Sequence, residues 1–127
     1  YQMATLASEI KEPEKLKDEN TVKIAMTKCN KSIFKAIYFS RLPIPYKAKK
    51  YYEHIGIYGY SLKTLKKFIF MKSSKLEQSE KLEQLRALEN LVDIYVGLVK
   101  QPPISIDTPK DLKKLKKTLD KGKKYEY

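Results

Sequence analysis

One aspartate lies where a metal ligand would be well placed. Asp107 belongs to the stretch "ISIDTPKDL" and directly precedes a predicted helix, with Thr108 as N-cap, Pro109 at the first position and Asp111 completing a capping box. A carboxylate held by a rigid turn suits magnesium, because this ion takes hard oxygen ligands in a fixed geometry and keeps several waters. The alternative is a structural aspartate that accepts hydrogen bonds from backbone amides, and one aspartate does not decide between them.

A second group of polar side chains lies on one predicted strand. In "YYEHIGIYGY", residues 51–60, alternation places Ile55 and Ile57 towards the core and His54, Gly56 and Tyr58 on the opposite face. Because Gly56 has no side chain, a ligand could lie against the sheet between His54 and Tyr58. The alternative, which the spacing alone favours, is a cross-strand aromatic ladder with a hydrogen-bonded histidine.

The stretch "SSKLEQSEKLEQLRALENL", residues 73–91, has the pattern of one amphipathic helix. Ser74 and Glu77 predict a capping box at its start. Glu83 and Gln84 border the apolar stripe, and Glu83 could pair with Arg86 one turn later for a few tenths of a kcal/mol. Periodicity assigns these polar residues no further function. The buried stripe is predicted to consist of Leu82, Leu85, Leu88 and Val92.

The elements that must position these residues alternate between strands and helices in the second half of the chain, which predicts an α/β domain. Residues 22–27 and 33–41 are expected to form an antiparallel hairpin, which the proline-containing segment "LPIPYKAKK" leaves in an extended conformation. A helix is predicted from Ser61, with Leu62, Leu65, Phe68 and Ile69 on its buried face. The remaining predictions are strands at 3–7 and 93–99, a last strand tip at "ISI", and a short exposed helix or loop at 8–21.

The net charge of +12 invites a nucleic-acid interpretation, which the details weaken. Among 27 basic residues only Arg41 and Arg86 are arginines, so the bidentate forks that usually bind phosphates and guanine edges are scarce. Eight lysines lie in the tail, residues 109–127, where they fill the solvated face of a predicted helix. The apolar stripe of that helix is predicted at Leu112, Leu115 and Leu119.

Length and composition predict one domain. The 127 residues suffice for a single modest core, and no apolar run approaches the roughly 20 residues of a transmembrane helix, so we expect a soluble protein. The single Cys29 has no partner for an internal disulfide, and no zinc-type cluster of Cys and His is visible. The first residues lack the pattern of a signal peptide, and we expect a cytoplasmic setting.

Four segments, in this order, resemble the C-terminal half of 3-deoxy-manno-octulosonate cytidylyltransferase, the CMP-Kdo synthetase family. They are "IYFSRLPIPY" (37–46), "HIGIYGY" (54–60), "LEQSEKLEQLRALEN" (76–90) and "IDTPKDL" (106–112). The resemblance implies the C-terminal part of a mixed-sheet, Rossmann-like α/β nucleotidyltransferase fold of the nucleotide-diphospho-sugar transferase type. It also implies a Mg²⁺-dependent homodimer that joins CTP and Kdo into CMP-Kdo and pyrophosphate for lipopolysaccharide biosynthesis.

The resemblance also implies roles for individual residues. Asp107 matches a magnesium-binding, catalytic aspartate, and Arg41 matches a catalytic arginine suited to the sugar carboxylate or a phosphate. The sugar-binding set is expected to be His54, Tyr58, Glu83 and Gln84, which should converge on one cleft. Arg86 is interpreted as a structural cation of its helix.

The chain also departs from the family pattern. The basic, glycine-containing loop and the second metal aspartate of the N-terminal, CTP-binding half do not occur. Residues 1–127 are therefore expected to be one domain with the sugar-binding and dimerisation part, inactive by itself. Ala48 stands where many relatives have a second arginine, so Lys47 or Lys49 would have to replace it. Two alternatives stay open: a non-enzymatic basic binding module, and a cytidylyltransferase for another acidic sugar such as a sialic acid.

Overall fold

A computed structural model of the chain describes residues 1–121, and the end of the lysine-rich tail, residues 122–127, lies outside the described residues. The strands are β1 (Met3–Glu9), β2 (Lys23–Lys28), β3 (Ile33–Ser40), β4 (Tyr52–Tyr60) and β5 (Ile94–Val99). The helices are α1 (Pro13–Lys17), α2 (Leu62–Ile69), α3 (Lys75–Glu80), α4 (Gln84–Glu89) and α5 (Pro109–Asp120).

The five strands form a mixed sheet that closes on itself in the order β1, β4, β2, β3, β5. β1 is parallel to β5 and antiparallel to β4, while β2 and β3 form the predicted antiparallel hairpin, from the pair Lys23–Ser40 to the pair Lys28–Phe34. β2 meets β4 through the single register pair Lys23–Glu53. The prediction of an α/β domain is confirmed.

The core lies inside the closed sheet and under α2 and α4. β1, β2, β3 and β5 contribute fully buried apolar side chains, and Leu82 and Leu85 from the 73–91 stretch cover them. Val92 is also buried, which confirms most of the predicted stripe. Within the described residues, the structure contains no helix both long and apolar enough to cross a membrane.

The stretch 73–91 forms two short helices, so the prediction of one helix is wrong. α3 ends at Glu80, Lys81 adopts a left-handed conformation with φ 56°, and α4 begins at Gln84. The predicted capping box is present, with Glu77 Oε2 accepting from the Ser74 amide at 3.0 Å. Leu82 lies within this break, and its side chain is buried in the core.

The faces predicted for β4 are wrong: the His54 ring packs edge-on against the buried Phe39 ring, with centroids 4.9 Å apart, and Tyr58 packs against the core cluster, which does not include Ile55. Ile57 was expected in the core but is 57% exposed, because the register changes from the pair Thr5–Tyr58 to the pair Leu6–Ile55. Gly56 and Ile57 therefore form a bulge that has no partner residues on β1. Thr5 Oγ1 lies 3.1 Å from the Ile55 carbonyl oxygen and 2.8 Å from that of Ile57, so one hydroxyl stabilises the bulge.

Two predicted apolar faces are largely exposed. α2 begins at Ser61, whose Oγ accepts from the Thr64 amide, as predicted, but of its stripe only Phe68 is buried. Leu112 and Leu119 of α5 are likewise exposed. Residues 104–106 form no strand, so the predicted strand tip before α5 is wrong, whereas the start of α5 at Thr108 and Pro109 is confirmed.

Candidate functional site

A cleft of about 1220 Å³ lies between the bulge of β4 and the segment that leads into α5. Its β4 wall includes His54 and Gly56, and its opposite wall includes Asp107, Asp111 and Lys114. A side chain at Gly56 would meet no atom within 4 Å. The space above Gly56 is therefore open, as the ligand interpretation of this strand requires.

His54 is a neutral side chain at the edge of this cleft. Burial lowers its pKa to about 4, because a desolvated imidazole is disfavoured in its charged form. Its Nε2 lies 2.9 Å from Thr5 Oγ1. Since the single hydroxyl proton of Thr5 is donated to the carbonyls of the bulge, Nε2 must be the donor and Nδ1 the acceptor. The described residues leave Nδ1 without a hydrogen-bond partner.

A row of aromatic side chains extends from His54 to Arg86. The ring centroids of His54 and Tyr58 are 5.4 Å apart, those of Tyr58 and Tyr60 6.1 Å, and those of Tyr60 and Phe68 5.9 Å. At the end of this row, the Arg86 guanidinium lies 5.2 Å from the centroid of the Phe68 ring. The row mostly follows β4 itself, and within the described residues its one aromatic contact to another strand is that of His54 with Phe39 on β3. The predicted hydrogen bond of the histidine is observed.

Tyr58 is held in its protonated form. Burial raises the pKa of its hydroxyl, and the charges of Tyr60 and Glu83 add to the rise. The pKa of Tyr60 is raised by burial and by Glu83 as well. Glu83 thus contributes to the raised pKa of both tyrosines, while most of its own side chain is exposed to solvent. Tyr58 can donate a hydrogen bond and Glu83 can accept one.

Arg86 forms an ion pair that the sequence did not indicate. Its Nε and Nη2 donate to the two carboxylate oxygens of Glu77 at 2.9 and 2.6 Å, and this bidentate contact lowers the Glu77 pKa to about 2. The predicted contact with Glu83 exists but is longer, at 3.8 Å. On one continuous helix, residues nine positions apart would lie about 180° apart, so only the break brings Glu77 and Arg86 together. The interpretation of Arg86 as a structural cation is confirmed.

Gln84 is buried, with 6% of its surface exposed, although it was expected to border the stripe. It occupies the first position of α4, directly after Glu83 at the N-cap. Within the described part of the chain its side-chain amide has no hydrogen-bond partner. Among the described residues only Ser8 Oγ and Ser74 Oγ are buried polar atoms without a partner, so the Gln84 amide atoms are accessible and can contact a polyhydroxylated ligand.

Arg41 is bound to the backbone at three points. Its Nε donates to the Glu80 carbonyl at 2.8 Å, Nη1 to the Glu19 carbonyl at 3.0 Å and Nη2 to the Lys81 carbonyl at 3.1 Å. Its own amide donates to Glu80 Oε2 at 3.1 Å. A guanidinium has five N–H donors, so two remain for an anionic ligand.

At the start of α5 the backbone amides are bound by Asp111 and not by Asp107. Asp111 Oδ2 accepts from the amides of Asp107 and Thr108 at 3.2 and 2.8 Å, which is the structural role. Asp107 is exposed and accepts only from Ser105 Oγ, at 2.7 Å, within the described residues. No group of three Asp, Glu, His or Cys side chains that could hold a metal ion occurs there. This donor set fits a magnesium ion that takes one carboxylate and completes its shell with phosphate oxygens and water.

The predicted site residues are thus only partly assembled. His54 and Asp107 line the same cleft, and Tyr58 adjoins His54. Of the four residues expected to converge on one cleft, only His54 lines it, and Arg41 does not line it either. The sequence analysis missed Thr5, although a hydroxyl inside the apolar stretch "MATLA" was a possible signal.

Comparison with known proteins gives consistent matches. A family model described as cytidylyltransferase matches residues 1–94. The 3-deoxy-manno-octulosonate cytidylyltransferase of Bartonella henselae is 45% identical over 117 residues, which cover 92% of this chain and 48% of the relative. The protein of the same name from Thermodesulfovibrio yellowstonii is 41% identical over 128 residues, covering 93% and 49%.

A solved structure agrees with these relatives. The structure of CMP:2-keto-3-deoxy-manno-octonic acid synthetase complexed with CTP superposes with a TM-score of 0.84 and 32% identity, over 95% of this chain and 50% of that one. The predicted nucleotidyltransferase fold is therefore confirmed. The chain spans about half the length of the curated relatives it matches.

Proposed function

Given that the chain belongs to the cytidylyltransferase family, we propose that it forms the sugar-acid-binding part of an enzyme that transfers CMP from CTP to Kdo. In this reaction the anomeric hydroxyl of Kdo attacks the α-phosphorus of CTP, the bond to the β-phosphate breaks, and pyrophosphate leaves. The names of the relatives and of the similar structure support Kdo and CTP as substrates. CMP-Kdo would supply lipopolysaccharide biosynthesis from a cytoplasmic homodimer.

The observation that carries the proposal is the pairing of His54 and Asp107 across one open cleft. His54 is neutral and its Nδ1 is free to accept a hydrogen bond from a sugar hydroxyl. Tyr58, which adjoins His54, stays protonated and can donate to a sugar oxygen. The Glu83 carboxylate and the Gln84 amide, which do not line this cleft, are assigned to the sugar by the family resemblance alone. Sugar recognition needs such a mixed set, because each hydroxyl both donates and accepts.

The chemistry requires positioning more than it requires a protein nucleophile. Phosphoryl-type transfer is accelerated by alignment of the attacking oxygen and by neutralisation of the charge on the phosphates. Magnesium, when bound, would supply part of that neutralisation, and Asp107 is the residue that would hold it. Arg41 has two N–H donors left for the sugar carboxylate or a phosphate.

Calorimetric titration of the chain with Kdo tests the proposal. We expect saturable Kdo binding that the His54→Gln variant weakens, and weaker binding of a sialic acid. The exposed Thr27→Val variant, on β2, is the matched control and should bind as the unmodified chain does. Absence of Kdo binding, or equal binding of unrelated neutral sugars, would contradict the proposal.

A separate assay addresses the activity of the chain by itself. With CTP, Kdo and magnesium we expect no CMP-Kdo, because no CTP-phosphate loop is recognisable in the sequence. Turnover by the 127-residue chain would show that it carries a complete nucleotide site.

A further inference from the structure

Lys23, the first residue of β2, has a completely buried side chain, with 0% of its surface exposed. Lysine is almost never fully buried unless its ammonium is paired. Here Nζ donates to the Asp18 carbonyl at 2.7 Å and to the Arg41 carbonyl at 2.8 Å. Burial lowers the pKa of this ammonium, and the charges of Asp18 and Glu19 oppose that change. The proposed reaction does not use this group, so its burial has another cause.

Lys23 and Arg41 form one connected unit with Glu80, which we call the Lys23–Arg41 clamp. Lys23 holds the carbonyl of Arg41, and Glu80 Oε2 accepts from the amide of the same residue. Glu80 is fixed in turn, because Tyr38 donates its hydroxyl proton to Glu80 Oε1 at 3.2 Å. The backbone of Arg41 is therefore held in place, and its guanidinium extends from there to the end of α3.

The clamp acts where the two helices separate. Arg41 donates to the carbonyls of Glu80 and Lys81, which in a continuous helix would accept from the amides of residues 84 and 85. The Leu85 amide instead donates to the Leu82 carbonyl at 3.2 Å. The guanidinium thus occupies the acceptors that a continuous helix would use, and it favours the break. Glu83 and Gln84 directly follow that break.

We infer that Lys23 is a positioning residue, which through Arg41 holds the break between α3 and α4 and so orients Glu83 and Gln84 towards a sugar acid. The identity of the ligand in this inference rests on the proposed function. Lys23 itself touches no substrate. Its effect is transmitted by its contact with the Arg41 carbonyl and by the backbone of Arg41. The guanidinium then contacts the carbonyls of Glu80 and Lys81.

Hydrogen exchange of individual amides tests the transmission directly. Lys23→Met keeps the length of the side chain but removes the donor, which takes away the contact to the Arg41 carbonyl and leaves the Asp18 carbonyl with the Thr21 amide alone. The amides of Leu82, Leu85 and Arg86 should then exchange about tenfold faster or more, while amides between β1 and β5 change less than about threefold. Lys28→Met, an exposed lysine of the same strand, is the matched control and should change neither set.

Kdo affinity provides the second readout. We expect Lys23→Met to weaken Kdo binding about tenfold and Lys28→Met to leave it unchanged. If the unmodified chain binds no Kdo, the proposed function fails, but the exchange measurement still decides whether Lys23 holds the break. If the unmodified chain binds Kdo and Lys23→Met binds it equally well, the positioning role is refuted.

A second variant covers the case in which Lys23→Met does not fold. Arg41→Lys keeps a cation and both backbone contacts but loses the fork that reaches the carbonyls of Glu19, Glu80 and Lys81. The same local acceleration at Leu82, Leu85 and Arg86 is expected. Exchange that accelerates equally throughout the sheet, or nowhere, overturns the inference.

Discussion

His54 Nε2 lies 2.9 Å from Thr5 Oγ1, and this contact assigns the ring proton of the chain's only histidine to Nε2 and leaves Nδ1 as the acceptor. Thr5 simultaneously holds the carbonyls of the β4 bulge. One hydroxyl on β1 therefore sets both the shape of the strand at Gly56 and the hydrogen-bonding character of His54. The His54 side of the cleft depends on this link between two strands.

The buried, neutral state of His54 predicts a pH dependence of stability. Its pKa of about 4 lies below the 6.5 of an unfolded histidine, so between these values the unfolded chain binds the proton that the folded chain refuses. This contribution to the free energy of unfolding is fully present above about pH 6.5 and is lost as the pH falls towards 4, by up to roughly 3 kcal/mol. Urea unfolding at pH 7 and pH 5 should show a larger loss for the unmodified chain than for His54→Gln. Equal losses in both would contradict the assignment.

The Glu77–Arg86 pair should contribute far more to stability than the Glu83–Arg86 pair. Glu77→Gln leaves the largely buried guanidinium of Arg86 without its main counterion, and we expect a loss of about 2–4 kcal/mol. Glu83→Gln removes only the exposed contact at 3.8 Å and should cost less than about 0.5 kcal/mol. Thermal unfolding of the two variants at pH 7 compares them directly, and similar losses would disprove the ranking.

A side chain at Gly56 should block the cleft without disturbing the fold. Because an added Cβ meets no atom within 4 Å, Gly56→Val is expected to change the free energy of unfolding by less than about 1 kcal/mol while abolishing Kdo binding. Gly59→Ala adds a Cβ at ordinary contact distance, 4.0 Å from Ala4 Cβ, and should retain binding. Calorimetry with both variants decides, and full Kdo affinity in Gly56→Val would place the ligand elsewhere.

Replacement by asparagine should have different effects at Asp107 and at Asp111. In NMR spectra, added Mg²⁺ should weakly shift the amides of residues 105–108, since the chain supplies one carboxylate and no phosphate. Asp107→Asn should remove these shifts and leave α5 intact. Asp111→Asn should instead weaken the helix cap and retain the shifts. Shifts that persist in Asp107→Asn would rule out this ligand.

The sequence was sufficient where structure is local. The start of α5 was predictable because Thr108, Pro109 and Asp111 satisfy each other within one turn. The hairpin of β2 and β3 was predictable for the same reason, as its two strands are neighbours in sequence.

The sequence was insufficient where a distant residue decides. The bulge at Ile57 depends on Thr5, and the break at Lys81 depends on Arg41. Neither feature can therefore be seen in the local spacing of apolar residues. In the site, the turn amides bind Asp111 and leave Asp107 exposed, and the sequence alone left the role of Asp107 open. The family resemblance assigned Glu83 and Gln84 to sugar binding, but it did not predict that the Glu83 side chain is exposed and that Gln84 is buried.

The nitrogen signals of the His54 imidazole test the central claim most directly, because the chain contains a single histidine. In a long-range proton–nitrogen spectrum at pH 7, the ring should show the neutral form with its proton on Nε2. Addition of Kdo should shift the Nδ1 signal as a sugar hydroxyl donates to it, and Gly56→Val should prevent the shift. A protonated ring at pH 7, a proton on Nδ1, or an Nδ1 signal that Kdo leaves unchanged would contradict the account.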